Sequence, residues 1–149
     1  MPTPRRTESA RADYRLDDQI GFLLRKAHQR HRSIFSRSIG AKIATTQFAA
    51  LASLYTDGPT SQNHLGRRTA MDSATITGVI DRLQQRGLVA TSASPDDDRL
   101  SIIDLTIEGR ELIEQLLPRG VEISADTLAP LSPSERETLM RLLGKISEI

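Results

Sequence analysis

The segment of residues 60–106 constrains the fold of this chain more strongly than any other part of it. A short polar helix is expected at residues 61–68, and after a turn a second helix begins at Asp72 and ends at Gly87. An acidic hairpin tip and a returning strand complete the segment. This order of helix, turn, helix and two-stranded ribbon predicts a winged helix-turn-helix.

Amphipathic helices are expected on both sides of this module. Apolar residues recur at helical spacing from residue 16 to about residue 39, in a stripe that includes Phe35 and contains His31. Gly40 supplies a C-terminal cap for this helix. Thr45 is expected to cap the next helix, which ends at residues 57–59.

The C-terminal part of the chain predicts two further helices. Thr106 can cap a long helix, and Pro118 within it is expected to produce a kink or a break because it removes a backbone hydrogen bond. The last helix begins at residues 132–135, where serine, proline and glutamate occupy the cap, first and third positions.

The predicted fold class is mainly α with a small two- to three-stranded β wing. We expect a flexible N-terminal arm at residues 1–15 and a single domain at residues 16–149. In that domain a winged helix-turn-helix occupies about residues 45–106, between dimerisation helices at about 16–39 and 107–149. These flanking helices are more apolar than one small module needs, so pairing with a second copy is their expected use. A homodimer would hold two DNA-reading helices about one DNA turn, roughly 34 Å, apart, which suits a palindromic site.

Composition excludes several other classes of protein. The chain has no cysteine, so it has neither a disulfide framework nor a Cys-ligated zinc. No apolar run reaches the roughly 20 residues that span a bilayer, and the N-terminus lacks the apolar region of a secretory signal. We therefore expect no membrane association and a cytoplasmic location. Residues 1–50 carry ten Lys/Arg against four Asp/Glu, and this balance of +6 favours contact with phosphate or an anionic ligand.

The second helix of the module carries the residues that are expected to read DNA. Its buried face is expected to consist of Ile76, Val79, Ile80 and Leu83. The opposite face is small and hydroxylated: its hydroxyls can bond base edges or phosphates, and a threonine methyl can touch thymine. Gly78 costs about 1 kcal/mol relative to alanine in mid-helix, a cost that close approach to DNA would explain. Each such residue also has a simpler interpretation as an ordinary exposed side chain. The candidate DNA contacts across the module are Ser61, Gln62, Arg67, Ser73, Ala74, Thr75, Thr77, Gly78, Arg82, Asp97 and Arg99.

The hairpin tip adds a candidate groove contact. Arg99 is expected to enter the adjacent minor groove, where negative potential is concentrated. Asp97 can hold the guanidinium in place through a charge-assisted pair. Three consecutive aspartates at residues 96–98 are a poor surface for DNA, so a surface hairpin with a local ion pair is the alternative.

The first helix of the module offers phosphate contacts. Ser61 and Gln62 lie at its N-terminus, where backbone N–H groups and short polar side chains suit phosphate. Arg67 and Arg68 add positive charge near its end.

Two histidines of the first long helix are candidate metal ligands. His28 and His31 are three residues apart, a spacing that two metal ligands can use. No cysteine or carboxylate cluster completes such a site, so we expect neither a metal nor another cofactor. His31 is either a core histidine or a polar contact to a small ligand. Nothing resembles a nucleophile with an oriented base, so no catalytic residue is assigned and no enzyme is expected.

Several motifs resemble the MarR family of bacterial transcriptional regulators. They are MDSATIT at residues 71–77, DRL at 81–83, RGLV at 86–89, the wing motif DDR at 97–99 and LTIEG at 105–109. The resemblance covers roughly residues 16–149. It implies an α-rich homodimer whose terminal helices form the interface. It also implies operator binding, usually repressive, that a small ligand relieves from a site between the dimerisation and DNA-binding regions.

The first long helix, together with SQN at residues 61–63, is similar to family members that control aromatic-acid catabolism. This similarity implies an effector that is an aromatic carboxylate or its coenzyme A thioester. Arginines of that helix can hold a carboxylate or phosphates while a histidine and a phenylalanine line an apolar crevice. The candidate ligand-binding residues are Arg25, His28, His31, Arg32 and Phe48.

We therefore predict a ligand-responsive, DNA-binding transcriptional regulator: a homodimeric repressor that an aromatic acid or its thioester releases from a palindromic operator. Two alternatives belong to other classes. One is a winged-helix module that contacts proteins and binds no operator, and the other is a small enzyme that processes aromatic acids.

Overall fold

A computed structural model describes residues 13–148 of the chain. The predicted N-terminal arm at residues 1–15 lies outside this range except for its last three residues, which are exposed. A short 3₁₀ turn at Leu16–Asp18 comes before the first long helix. The elements that follow are α1 (Ile20–Ile39), α2 (Thr45–Asp57), β1 (Thr60–Ser61), α3 (Gln62–Arg68), α4 (Ser73–Gln85), β2 (Val89–Ala93), β3 (Ser101–Leu105), α5 (Ile107–Thr127) and α6 (Pro133–Ser147). The predicted fold class, mainly α with a small β wing, is confirmed.

The wing is a three-stranded antiparallel sheet in the order β1-β3-β2. The hairpin pairs Val89 with Leu105 and Ala93 with Ser101. The short strand β1 joins its other edge by pairing Thr60 with Ile103. Because β1 leads directly into α3, this pairing fixes the start of the helix-turn-helix against the base of the wing.

Glycines end the helices where the sequence predicts that they end. Gly40, Gly58 and Gly87 have φ angles of 70°, 87° and 69°, in the left-handed region that glycine enters without steric cost. Helix starts are equally well marked by side-chain caps: the side chains of Ser61, Asp72, Thr106 and Ser132 each accept a hydrogen bond from a backbone N–H of the first turn. Ser132 forms a full capping box with Glu135.

One predicted helix cap was wrong, and of the kink or break expected at Pro118 the break does not occur. Ala44, rather than Thr45, occupies the N-cap of α2, and no side chain caps this helix. Pro118 does not break α5, which runs from residue 107 to residue 127. The carbonyl that loses its partner belongs to Glu114, and both residues are exposed, so that oxygen lies on the solvent side of the helix, where its lost partner is least costly.

One apolar core joins the winged module to the long helices. Its members come from the C-terminal half of α1, from α2 to α4, from the sheet and from the inner face of α5. The residues that are at most 1% exposed include Leu51, Leu54, Leu65, Leu83, Ile103 and Ile113. The N-terminal half of α1 and the whole of α6 contribute no buried residue. None of the helices described between residues 13 and 148 is long and apolar enough to cross a bilayer.

The wing and α5 meet at Gly109. A methyl group at this position would overlap the carbonyl oxygen of Leu88, so helix and strand touch backbone to backbone. Thr106 strengthens the junction: its N–H donates to the Leu88 carbonyl at 3.1 Å and its hydroxyl donates to the Gly87 carbonyl at 2.6 Å. The start of α5 is therefore fastened to the start of the hairpin.

Candidate nucleic-acid interface and ligand cavity

Helix α4 presents the face that the sequence predicted for DNA. Its buried side consists of Ile76, Val79, Ile80 and Leu83, as predicted. Gly78 is half-buried, and a Cβ placed there would meet nothing within 4 Å, so the packing of the protein itself does not require glycine. The exposed side carries Ser73, Ala74, Thr75, Thr77 and Arg82.

The N-terminus of α4 is held by Asp72. Its carboxylate accepts a hydrogen bond from the Thr75 N–H at 2.7 Å. This backbone bond, followed by the Thr75 side chain, lowers the pKa of Asp72 below its ordinary value of 3.8. The carboxylate is therefore ionised at neutral pH and fixes the orientation of the first turn, where Ser73 is exposed.

Helices α3 and α4 are joined by a side-chain hydrogen bond that the sequence did not reveal. Gln62 Nε2 donates to Thr77 Oγ1 at 2.8 Å, across 15 residues of sequence. The Thr77 hydroxyl in turn donates to the Ser73 carbonyl at 2.7 Å. These three candidate DNA residues therefore form one connected group.

The other candidates on α3 have separate surroundings. Ser61 accepts a bond from the His64 N–H at 3.3 Å and caps the helix. Arg67 is exposed, and its guanidinium lies 3.5 Å from His64 Nδ1. Arg68 is instead used internally, because it donates to the Gly58 carbonyl at 2.9 Å and holds the end of α2. Its contribution of charge near a DNA phosphate stays a prediction.

The wing tip presents a single cation on an acidic loop. The Arg99 side chain is 95% exposed, and its Nε lies 4.0 Å from Asp97 Oδ1. The same carboxylate oxygen accepts the Arg99 N–H at 3.0 Å. The structure thus brings the two predicted residues together, with the Arg99 side chain almost fully exposed.

A cavity of about 210 Å³ lies between α1, α2 and α5. It brings together two of the predicted ligand residues, His31 and Phe48. Arg25 and His28 are exposed and do not line it, and Arg32 lines an adjoining cavity of about 290 Å³. The full lining consists of His31, Phe35, Thr45, Phe48, Ala49, Gly120, Ile123 and Ser124.

The hydrogen bonds of His31 determine which of its nitrogens carries the proton. The Thr127 hydroxyl donates its one hydrogen to the Ile123 carbonyl at 2.8 Å. The 2.9 Å bond between His31 Nδ1 and that hydroxyl oxygen is therefore donated by the histidine. In neutral His31 the other ring nitrogen, Nε2, is then left as an acceptor.

Two aromatic rings and a glycine shape the cavity. The Phe35 and Phe48 rings meet edge to face, with centroids 5.6 Å apart. A Cβ at Gly120 would lie 2.8 Å from Phe48 Cζ, so the ring rests against the backbone of α5. The apolar stripe identified Phe35 only as a core residue. No sequence signal marked Gly120, because the approach of Phe48 joins positions 72 residues apart.

Comparisons with known proteins agree with this architecture. The family model "MarR family" matches residues 43–101, which include most of the winged module. The transcriptional repressor NicR of Pseudomonas putida is 37% identical over 145 residues, which are 97% of this chain and 92% of NicR. A probable transcriptional regulator from Pseudomonas aeruginosa is 51% identical with a TM-score of 0.83, over 89% of this chain and 99% of that one. BpsR of Bordetella bronchiseptica, whose DNA binding is regulated by 6-hydroxynicotinic acid, is 39% identical with a TM-score of 0.88, over 91% and 98% of the two chains.

The fold and these relatives define a winged-helix, DNA-binding transcriptional regulator. The chain belongs to the MarR family. The predictions of family, of fold class and of a regulator rather than an enzyme are confirmed.

Proposed function

We propose that the protein is a homodimeric repressor that binds a two-fold symmetric operator and is released from it by a small single-ring aromatic acid. Because its target is chromosomal DNA, we place it in the cytoplasm. The observation that carries the proposal is the position of the cavity. Phe48 of α2 belongs to the winged module, whereas His31 of α1 and Gly120 of α5 belong to the helices that flank it. A ligand among them contacts both parts of the molecule.

The dimer is supported by apolar surface that the described part of one chain leaves uncovered. Ile20, Leu23 and Leu24 on α1 are 64%, 49% and 42% exposed. Met140 and Ile146 on α6 are 59% and 62% exposed. Apolar faces of this extent on two terminal helices suit burial against a second copy.

The size of the cavity supports a single-ring ligand. Drug-sized ligands occupy cavities of about 300–1,000 Å³, and this one is smaller, at about 210 Å³. It has room for one ring beside the Phe35–Phe48 pair, and the nucleotide part of a coenzyme A thioester would have to remain outside. We therefore favour the free acid over the thioester.

The chemistry of the lining supports a ring that bears a hydrogen-bond donor. Neutral His31 offers its Nε2 lone pair, which suits a ligand O–H or N–H. Arg32 lines the adjoining cavity, which shares Phe35 and Thr45 with this one, and is our candidate for the carboxylate. BpsR supports the same class, since its DNA binding is regulated by 6-hydroxynicotinic acid.

Fluorescence anisotropy tests the proposal. The full chain first selects an operator from a random double-stranded DNA pool, and 6-hydroxynicotinic, nicotinic and 4-hydroxybenzoic acids are then titrated into the complex. We expect release by the hydroxylated acids and weaker release by nicotinic acid, which lacks a donor. Selection of no sequence contradicts operator binding, and failure of all three acids contradicts the ligand class.

Gly120→Ala examines the cavity directly. The added methyl pushes the Phe48 ring away from α5, so we expect unchanged operator affinity and at least about tenfold weaker release by acid. Gly144→Ala is the matched control, because a Cβ there meets nothing within 4 Å. An unchanged acid response in Gly120→Ala would show that the ligand binds elsewhere.

A further inference from the structure

We infer that Thr77 reads a thymine through its methyl group rather than through its hydroxyl, and that Gln62 is the positioning residue that holds it in this orientation. The inference rests on the proposed operator binding by α4 and adds to it a specific base at a specific side chain.

The hydroxyl of Thr77 is largely occupied before any DNA binds. A hydroxyl has one hydrogen to donate and two lone pairs to accept with. Its hydrogen goes to the Ser73 carbonyl at 2.7 Å, so the 2.8 Å bond with Gln62 must be donated by the amide Nε2. A single lone pair is left, and the hydroxyl has no donor to offer a base.

The same bonds fix the rotamer of Thr77. A hydroxyl that bonds the carbonyl four residues earlier is turned back along its own helix. Threonine is β-branched and stiff at χ1, so fixing the oxygen also fixes the methyl. Gln62 adds a second restraint from the neighbouring helix. Since Thr77 is exposed, the methyl is the part of the side chain that remains available to a partner.

The surroundings of Thr77 favour an apolar contact. Ala74, one turn earlier, ends in a methyl, and Gly78 adds no side chain. In the major groove the C5-methyl of thymine is the apolar group on a base edge, and threonine methyls contact it. The competing interpretation uses the remaining lone pair to accept from adenine N6 or cytosine N4.

Two substitutions separate these interpretations. Thr77→Ser keeps the hydroxyl with both hydrogen bonds and removes the methyl. Thr77→Val keeps a methyl of similar position and removes the hydroxyl. The operator selected by the wild-type chain is prepared with each thymine replaced in turn by deoxyuridine, which lacks the C5-methyl, and affinities are measured by anisotropy.

We expect the wild type to lose about fourfold in affinity per half-site at one thymine, and about 15-fold when both half-sites are changed. Thr77→Ser should bind the thymine and deoxyuridine operators equally, at the wild-type affinity for the deoxyuridine form. Thr77→Val should retain the preference for thymine. Gln62→Ala should weaken that preference, because the side chain gains rotational freedom.

The opposite pattern overturns the inference. If Thr77→Ser remains as sensitive to the thymine methyl as the wild type, another residue contacts that base. If Thr77→Val loses the preference while Thr77→Ser keeps it, the hydroxyl is the reader. Selection of no operator by the wild type would refute the proposed function itself, an outcome that differs from either of these.

Discussion

The winged module and the terminal helices have similar apolar content but bury it very differently. In the module, Leu65, Leu83 and Ile103 are at most 1% exposed, and α3 and α4 both begin with side-chain caps. In the terminal helices, Ile20 and Ile146 are each more than 60% exposed, and α6 buries nothing within the described part of the chain. The module finds its core inside one chain, whereas the N-terminal half of α1 and the whole of α6 do not.

This difference indicates what each region needs from outside. The exposed face of the module is polar and small, which suits a charged, hydrated partner such as DNA. The exposed faces of the terminal helices are apolar, which suits a second copy of the chain. The stability of the module should therefore not depend on protein concentration. The stability of the terminal helices should depend on it, because a second copy covers their exposed faces.

The largest expected effect tests the module core. Leu83→Ala removes a fully buried side chain from α4 and should lower the free energy of unfolding by about 3 kcal/mol. Denaturant unfolding at several protein concentrations measures this loss, which should be the same at each. Gln85→Ala, an exposed change on the same helix, is the control. A loss that grows on dilution would place Leu83 at an interface.

The next effect tests the terminal helices. Leu23→Asp puts a charge on the exposed face of α1, and we expect monomers in sedimentation experiments. Operator affinity should fall at least about 100-fold, because two linked reading helices bind far more tightly than one. Leu100→Asp, the control, changes a residue of the wing that is 49% exposed like Leu23 but lies outside the terminal helices, and it should remain dimeric. A dimeric Leu23→Asp variant would show that the uncovered face has another use.

A smaller effect is expected at the wing. Arg99→Ala should reduce operator affinity about tenfold without changing the melting temperature, because the side chain is almost fully exposed. Anisotropy and thermal melting together check this. Arg15→Ala, outside the module and also exposed, should change neither quantity. Unchanged affinity in Arg99→Ala would mean that the wing does not touch DNA.

The smallest effect compares one helix cap from each region. Hydrogen bonds from Thr75 lower the pKa of Asp72, and hydrogen bonds from Ser132 lower the pKa of Glu135. The stabilisation from each is complete above the ordinary values of 3.8 and 4.5 and is lost as the pH falls through the lowered folded values. Asp72→Asn and Glu135→Gln cannot titrate. When the pH is lowered from about 5 to about 3, the melting temperature of each variant should fall about 2 °C less than that of the wild type. If the melting temperatures of the variants and the wild type fall by the same amount, the ionised caps do not contribute to the stability of the folded protein.

Local signals made most of the fold predictable. The left-handed residues Gly40, Gly58 and Gly87 end helices because few other residues adopt that backbone, and the Ser132 capping box is readable from four letters. The apolar spacing on α4 gave its buried face directly. The prediction that Thr45 caps α2 was wrong because the sequence does not show whether a hydroxyl residue near a helix start occupies the N-cap or the next position.

The candidate site was only partly predictable, because its contacts are distant in sequence. The bond from Gln62 to Thr77 requires knowing how α3 crosses α4. The hydrogen bond from Arg68 to the Gly58 carbonyl and the contact between Phe48 and Gly120 likewise depend on how distant segments pack. Residue types indicated which side chains suit DNA, but only the structure showed that the Thr77 hydroxyl is already occupied.

The backbone contact at Gly109 joins α5 directly to the base of the hairpin. Gly120 and the cavity lie 11 residues along this helix from that contact, or about 17 Å at 1.5 Å per residue. There is no side chain at Gly109 to repack and take up a displacement, so we expect a tilt of α5 at the cavity to move the base of the hairpin as well. In the proposed dimer, a ligand smaller than a single nucleotide would in this way alter the spacing of the two reading helices without touching either of them.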